Sequence, residues 1–208
     1  MSIEKLTPVF SGRVIKVNVE TVRLPNGHVI DLEIIHHPGG AAVVALDAQQ
    51  RVCLIRQFRH AAGGWIWELP AGKLEPDEPP LLTAQRELVE EAGREASDWQ
   101  SLGAYVSSPG VFTETVHLFM ARGLRPAKIA HEAAELIEIH WIAMTEACQR
   151  ALSGEAGRWQ DGGGIAARAG AAGESAPGCS AMNSLGKTTN HAATYRHRKS
   201  IFEYRCNR

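Results

Sequence analysis

No stretch of this 208-residue chain approaches the roughly 18 consecutive apolar residues that a membrane-crossing helix needs, so no helical membrane span is expected. Charge of one sign is also missing. The 22 basic and 23 acidic residues leave a formal net charge of −1, which gives no whole-molecule field to favour nucleic acid or an anionic membrane surface. Cysteine is sparse: Cys53, Cys148, Cys179 and Cys206 are scattered and form no C-x-x-C pair. That argues against a disulfide framework or a structural zinc site and makes the cytoplasm the natural compartment. The histidines show no H-x-x-x-H pair, and Met1 to Lys5 lacks the charged-then-apolar pattern of a secretory signal. What remains is ordinary globular composition, 44% apolar and 22% charged, enough for one domain and an appendage.

The first half reads as strands. Val14 to Leu24 is rich in β-branched residues, Asn26-Gly27 marks a tight turn, and Val29 to His36 is the return strand. Ala41 to Leu46 and Val52 to Phe58 are short apolar runs around Asp47-Ala48-Gln49-Gln50. Gly63-Gly64 precedes another short strand, Trp65 to Leu69. Asp77-Glu78-Pro79-Pro80 then opens a helix in which Leu81, Ala84, Leu88 and Ala92 form a stripe at helical spacing, with Gly93 as its stop. Val116 to Ala121 and Leu136 to Trp141 read as strands, and Thr145 to Leu152 as a helix with Thr145 a candidate N-cap. The expected class is α/β in the α+β sense: a mixed sheet between helices, extended by an N-terminal antiparallel hairpin. The division expected is 1–40 for the hairpin region, 41–155 for the main domain and 156–208 for a tail. That tail is rich in Gly, Ala, Ser and Arg and has no apolar period. It reads as disordered or as text from a shifted reading frame. Its end is basic but too short and too poor in interleaved aromatics to suggest nucleic-acid binding.

Glu87, Glu90 and Glu91 stand at i, i+3 and i+4 of the expected helix and share one face beside the apolar stripe. Like charges so placed repel by a few tenths of a kcal/mol per pair. A hard divalent cation with oxygen ligands would relieve them, and Arg86 can fix a neighbouring carboxylate. A solvated acidic face would be the plainer interpretation of E-x-x-E-E alone. The surrounding residues change that. Gly72, Glu78, Arg86-Glu87-Leu88, Glu90-Glu91 and Gly93 stand in the order G-x5-E-x7-R-E-U-x-E-E-x-G.

This segment resembles the Nudix box, and the chain from about Ser11 to Glu155 resembles the Nudix hydrolases. Arg94 departs from the pattern, which places an aliphatic residue after the last glycine. The resemblance implies Mg²⁺-dependent hydrolysis of a nucleoside diphosphate linked to another group, with Mn²⁺ as a substitute ion. By motif position, Glu87 and Glu91 would be the main metal ligands, with Glu90 and the carbonyl of Ala71 completing the set. Trp67-Glu68-Leu69-Pro70-Ala71-Gly72, Arg56-Gln57-Phe58-Arg59 and Ser108-Pro109-Gly110 look like the ADP-ribose pyrophosphatase branch. That likeness makes Arg59 a phosphate holder, with Arg56, Trp67 and Pro109 also on the substrate side. Glu68 and Glu114 are candidates for contact with the ribose or the metal shell. Glu135, with Glu132 as its fallback, would be the base that activates water. The branch implies a homodimer in which Phe10 or a tryptophan stacks on adenine. The leading substrate is ADP-ribose, cleaved to AMP and ribose 5-phosphate. GDP-mannose or NADH are the alternatives within the same chemistry. A non-catalytic nucleotide sensor is the alternative outside it, disfavoured because every box glutamate is present.

Overall fold

The computed structural model describes residues 2–129 and 136–153. Glu132, Glu135 and the 156–208 tail lie outside the described residues.

Three antiparallel strands form the N-terminal sheet: β1 (Ser2–Ser11), β2 (Lys16–Arg23) and β3 (Val29–His36). The β2–β3 hairpin closes as its sequence suggests. Leu24 N–H donates to His28 O at 2.8 Å, and the Asn26 side-chain oxygen accepts from His28 N–H at 3.1 Å. β1 extends the expected hairpin by one strand. All its residues are exposed, and its register slips between Ile3 and Lys5 and again between Pro8 and Phe10. Those slips break the two-residue alternation by which a strand is read from sequence.

The rest is a pair of sheets between two helices. β4 (Gly40–Ala45) is central to a four-stranded mixed sheet of order β7-β4-β9-β8, completed by β7 (Ala71–Lys73), β8 (Arg94–Val106) and β9 (Thr115–Pro126). β4 runs parallel to β9 and antiparallel to β7. The second sheet is antiparallel, β10-β5-β6, from β5 (Arg51–Arg59), β6 (Gly64–Glu68) and β10 (Ile137–Ala143). All six residues of β4 are buried because both its faces are covered, which explains its unbroken small apolar run.

Helix α1 (Pro80–Ala92) covers one side. Its Ala84, Leu88 and Ala92 pack on Ala41, Val43, Ala45 and Cys53. Helix α2 (Met144–Ser153) covers the other, with Ala147 and Cys148 against Ala42, Val44, Val52 and Leu54. Three of the four residues of the expected stripe, Ala84, Leu88 and Ala92, thus form the packed face, while Leu81 in the first turn is only half-buried, and the α+β arrangement of a mixed sheet between helices is what forms. Pro80 begins α1, where its missing N–H costs nothing. Gly93 ends it at φ 61°, its N–H returning to Leu88 O and Val89 O. α2 is already helical at Met144, so Thr145 lies inside its first turn rather than capping it. Arg94, the departure from the motif, lies over the Trp141 ring at 5.7 Å, so a stacked guanidinium takes up packing there. Among the described residues no helix is long and apolar enough to cross a membrane.

Candidate active site

The two halves of the box meet at the edge of the mixed sheet. β7 pairs with β4, setting Gly72 opposite Ala41 and Ala71 opposite Ala42. From α1, the buried Glu91 carboxylate accepts the Ala71 N–H at 2.8 Å, which ties the helix to the loop before it. The Glu87 carboxylate lies against Gly72 so closely that a Cβ at position 72 would collide with it. The first glycine of the motif therefore has a packing reason: it makes room for a carboxylate.

Arg86 gathers the remaining acids. Its Nη1 donates to Glu87 Oε1 at 2.7 Å and to Glu90 Oε2 at 3.0 Å. Its Nε and Nη2 reach both oxygens of Glu78, at 3.2 and 3.1 Å, and Nη2 also donates to Lys73 O at 3.3 Å. Glu78 further accepts from Thr83 Oγ1 at 2.8 Å and from Glu75 N–H at 3.2 Å. The Arg86 hydrogen bonds outweigh the opposing effect of burial and, helped by Thr83 and the Glu75 N–H, hold the Glu78 carboxyl down to about 2. Glu78 in turn pushes the Arg86 guanidinium further up.

The donors fit a hard divalent cation. Glu87, Glu90, Glu91 and the Ala71 carbonyl offer oxygen alone, the chemistry Mg²⁺ and Mn²⁺ take. Gly72 supplies the clearance that the Glu87 carboxylate uses. In their present rotamers, no three acidic, histidine or cysteine side chains among the described residues converge on one point. Arg86 and the Ala71 N–H hold the carboxylates instead. Cys53 lies in the core on the α1 side. Burial, aided by the charge of Glu91 and opposed by Arg94, pushes its thiol up to about 12, so it supplies no nucleophile.

The β10-β5-β6 sheet divides the other expected residues by face. Arg59 and Glu68 come together, Nη2 to Oε2 at 2.9 Å, with Glu68 only 4% exposed. Residues paired across the sheet share a face, so Glu68 goes with Ile55, and Ile55 with Cys53 on the α1 side. Arg56 and Trp67 are paired on the opposite face. There Arg56 binds Glu138 at 3.1 Å and lies over Trp65 at 5.1 Å, while Trp67 packs with the α2 core and edge-on to His140 at 4.7 Å. The fold therefore brings Arg59 and Glu68 together and does not bring Arg56 or Trp67 to them.

Glu114 approaches His37 Nδ1 at 3.4 Å, and Phe112 contacts the same imidazole. The loop carrying them is tied to β3 through Ile35 N–H to Val111 O at 2.7 Å and Thr113 N–H to Ile35 O at 3.0 Å. Pro109 is exposed at the tip of that loop. His37, Gln57 and Cys53 are site neighbours that motif reading does not single out. For Gln57 the signal was available, since two-residue alternation puts it on the face of Arg59.

The NUDIX domain family matches residues 36–160. The chain is 39% identical over 147 residues to a methanol dehydrogenase activator of Bacillus methanolicus, covering 70% of this chain and 80% of that protein. It is 39% identical over 149 residues to an ADP-ribose pyrophosphatase of Mycobacterium tuberculosis, covering 70% and 72%. A crystal structure of an ADP compounds hydrolase superposes with a TM-score of 0.63 over 73% of this chain and 82% of that one, at 21% identity, a likeness of fold. With the box assembled on β7 and α1 and these relatives spanning most of the chain, the protein belongs to the Nudix hydrolase family.

Proposed function

We propose that this protein hydrolyses the pyrophosphate bond of a nucleoside diphosphate sugar, with ADP-ribose as substrate and AMP and ribose 5-phosphate as products. The observation that carries the proposal is the joining of Glu87 and Glu91 to the Ala71-Gly72 edge, with Arg59 and Glu68 on the α1 face of the neighbouring sheet. A relative bearing the name ADP-ribose pyrophosphatase supports the choice of substrate.

Glu87, Glu90, Glu91 and the Ala71 carbonyl would hold Mg²⁺, or Mn²⁺ in its place. When bound, the ion offsets the charge of the pyrophosphate and acidifies water. Arg59 would exchange part of its pairing with Glu68 for phosphate oxygens, to which a guanidinium is geometrically suited. Glu114, steadied by His37, faces the sugar in this proposal, and Pro109 shapes the loop that carries it. Arg56 and Trp67 act from the far face by stiffening β5 and β6. Glu135 takes the proton from water as its oxygen bonds to phosphorus and the bridging P–O bond breaks.

The proposed organisation is 1–40 as a dimer-forming sheet, 41–155 as the hydrolase domain and 156–208 as a separate tail. Ile3, Leu6, Val9 and Phe10 leave a large apolar surface exposed on β1, which a second copy would cover. A cytoplasmic setting suits the reduced Cys53 and Cys148.

The test is release of AMP and ribose 5-phosphate in equal amounts from ADP-ribose with Mg²⁺. Glu135→Gln should lower kcat by about 10²–10⁴-fold, the usual worth of a general base. Absence of AMP from the wild-type reaction overturns the substrate, full turnover by the variant removes Glu135, and a monomer in light scattering at micromolar concentration rejects the dimer.

A further inference from the structure

Gln57 is buried, 4% exposed, and among the described residues nothing donates a hydrogen bond to its side-chain oxygen Oε1. Its place in the fold is defined by register. It lies opposite Ile66 of β6 and Ile137 of β10, so an isoleucine stands on each side of the amide. Two residues further along the same strand and on the same face, Arg59 makes its ion pair with Glu68. Two residues back, Ile55 is the cross-strand partner of Glu68. The face is the one that packs on α1, the helix carrying the box glutamates, through Cys53. The amide is thus set among apolar side chains in the wall of the proposed site, beside its Arg59–Glu68 pair.

A buried acceptor left without a donor is destabilising, and folded proteins rarely leave one so. An apolar side chain of similar length would fill the same space without that cost. Such a group is explained by a donor that arrives with a ligand. The character of the donor follows from the chemistry of the atom. An amide oxygen only accepts, so phosphate oxygens would repel it, and Arg59 already offers them a cation. In a nucleoside diphosphate sugar the donors are the sugar hydroxyls and the amino group of the base, and of these the hydroxyls lie next to the phosphates that Arg59, two residues along the strand, would hold.

We infer that Gln57 Oε1 accepts a hydrogen bond from a sugar hydroxyl of the bound nucleotide, and that Gln57 thereby discriminates between substrates. The inference rests on the hydrolase reading above. It adds a residue that acts through ligand recognition, apart from the metal ligands and the base.

Gln57→Met in the full-length chain removes the acceptor at nearly constant volume. Without ligand the variant should melt higher than wild type, by roughly 2–4 °C for a chain of this size. KM for ADP-ribose should rise about tenfold, the worth of one well-made hydrogen bond, with kcat within about twofold. Deoxy analogues of ADP-ribose complete the comparison. Wild type should lose about tenfold in kcat/KM on the analogue lacking the recognised hydroxyl, and Gln57→Met should lose nothing further on it. An unchanged or lower melting temperature overturns the inference, because the oxygen then has a partner within the protein. Unchanged KM, or equal discrimination by both proteins, overturns it as well. Running GDP-mannose in parallel keeps the kinetic arm informative if ADP-ribose is not turned over. If wild type cleaves neither sugar nucleotide, the substrate reading fails, and the melting comparison still decides whether the Gln57 oxygen is unpaired.

Discussion

Arg86 and Glu78 form a two-bond pair, Nε to Oε1 at 3.2 Å and Nη2 to Oε2 at 3.1 Å, that joins the middle of α1 to the loop leading into it. The same guanidinium reaches Glu87 and Glu90 with its remaining nitrogen. One planar cation therefore positions three carboxylates, two of which are proposed metal ligands. A lysine carries the same charge but lacks the rigid fork needed to serve all three. Arg86→Lys should lower kcat/KM by roughly 10–100-fold, as expected when a partner that orients metal ligands is lost. Steady-state hydrolysis of ADP-ribose across a Mg²⁺ titration measures it. Wild-type kinetics with an unchanged Mg²⁺ midpoint would show that the pair is structural decoration.

How much of this was legible beforehand depended on sequence distance. The box is local: Gly72 to Gly93 spans one loop and one helix, so spacing alone placed Glu87, Glu90 and Glu91 on a face and Gly93 at a cap. The β2–β3 hairpin was legible for the same reason, with Asn26-Gly27 at its tip. β1 was hidden because its bulges spoil the alternation. β8 was hidden because its segment, Arg94–Val106, is polar and mostly exposed and its register slips at Gly103. Within the site, motif reading grouped Arg56 with Arg59 and Trp67 with Glu68. The members of each pair lie on opposite faces of their strand, since residues three apart or one apart point opposite ways. The approach of His37 to Glu114 joins residues far apart in sequence, and no local pattern encodes it.

The lowered Glu78 carboxyl makes a prediction about acid. Its folded value of about 2 lies below the ordinary 4.5, chiefly because Arg86 binds the charged form. A group so depressed contributes stability that is fully present above the unfolded value and is lost as pH falls through the folded one. The stabilising contribution should therefore be constant above about pH 5.5 and fade between about pH 4.5 and 2. Glu78→Gln keeps the shape and removes the titration. The gap in melting temperature between wild type and Glu78→Gln should be widest near neutrality and shrink through that acid window. A gap of constant size from pH 6 to pH 2.5 would mean that the Arg86 pairing does not set the Glu78 ionisation.

Gly72 offers the sharpest test of the site's construction, because nothing charged is altered. The Glu87 carboxylate fills the space beside Gly72 that any other residue would give to its Cβ, while the backbone there remains paired to Ala41 in β4. Gly72→Ala leaves two outcomes for the chain. Either the β7 backbone moves away from β4, or Glu87 turns out of its position. The strand is anchored by pairing on both sides of Gly72, at Ala71 and Lys73, whereas the Glu87 carboxylate, bonded to Arg86, sits at the end of a side chain with rotatable bonds. The side chain should yield first. Activity should then fall by roughly 10–100-fold, and the Mg²⁺ concentration for half-maximal rate should rise, while the melting temperature changes by only a few degrees. Near-normal activity would mean that Glu87 is not needed where the fold puts it. Gross loss of folded protein would mean instead that the strand gave way, and the circular dichroism of the purified variant separates that case from a correctly folded chain with a misplaced ligand.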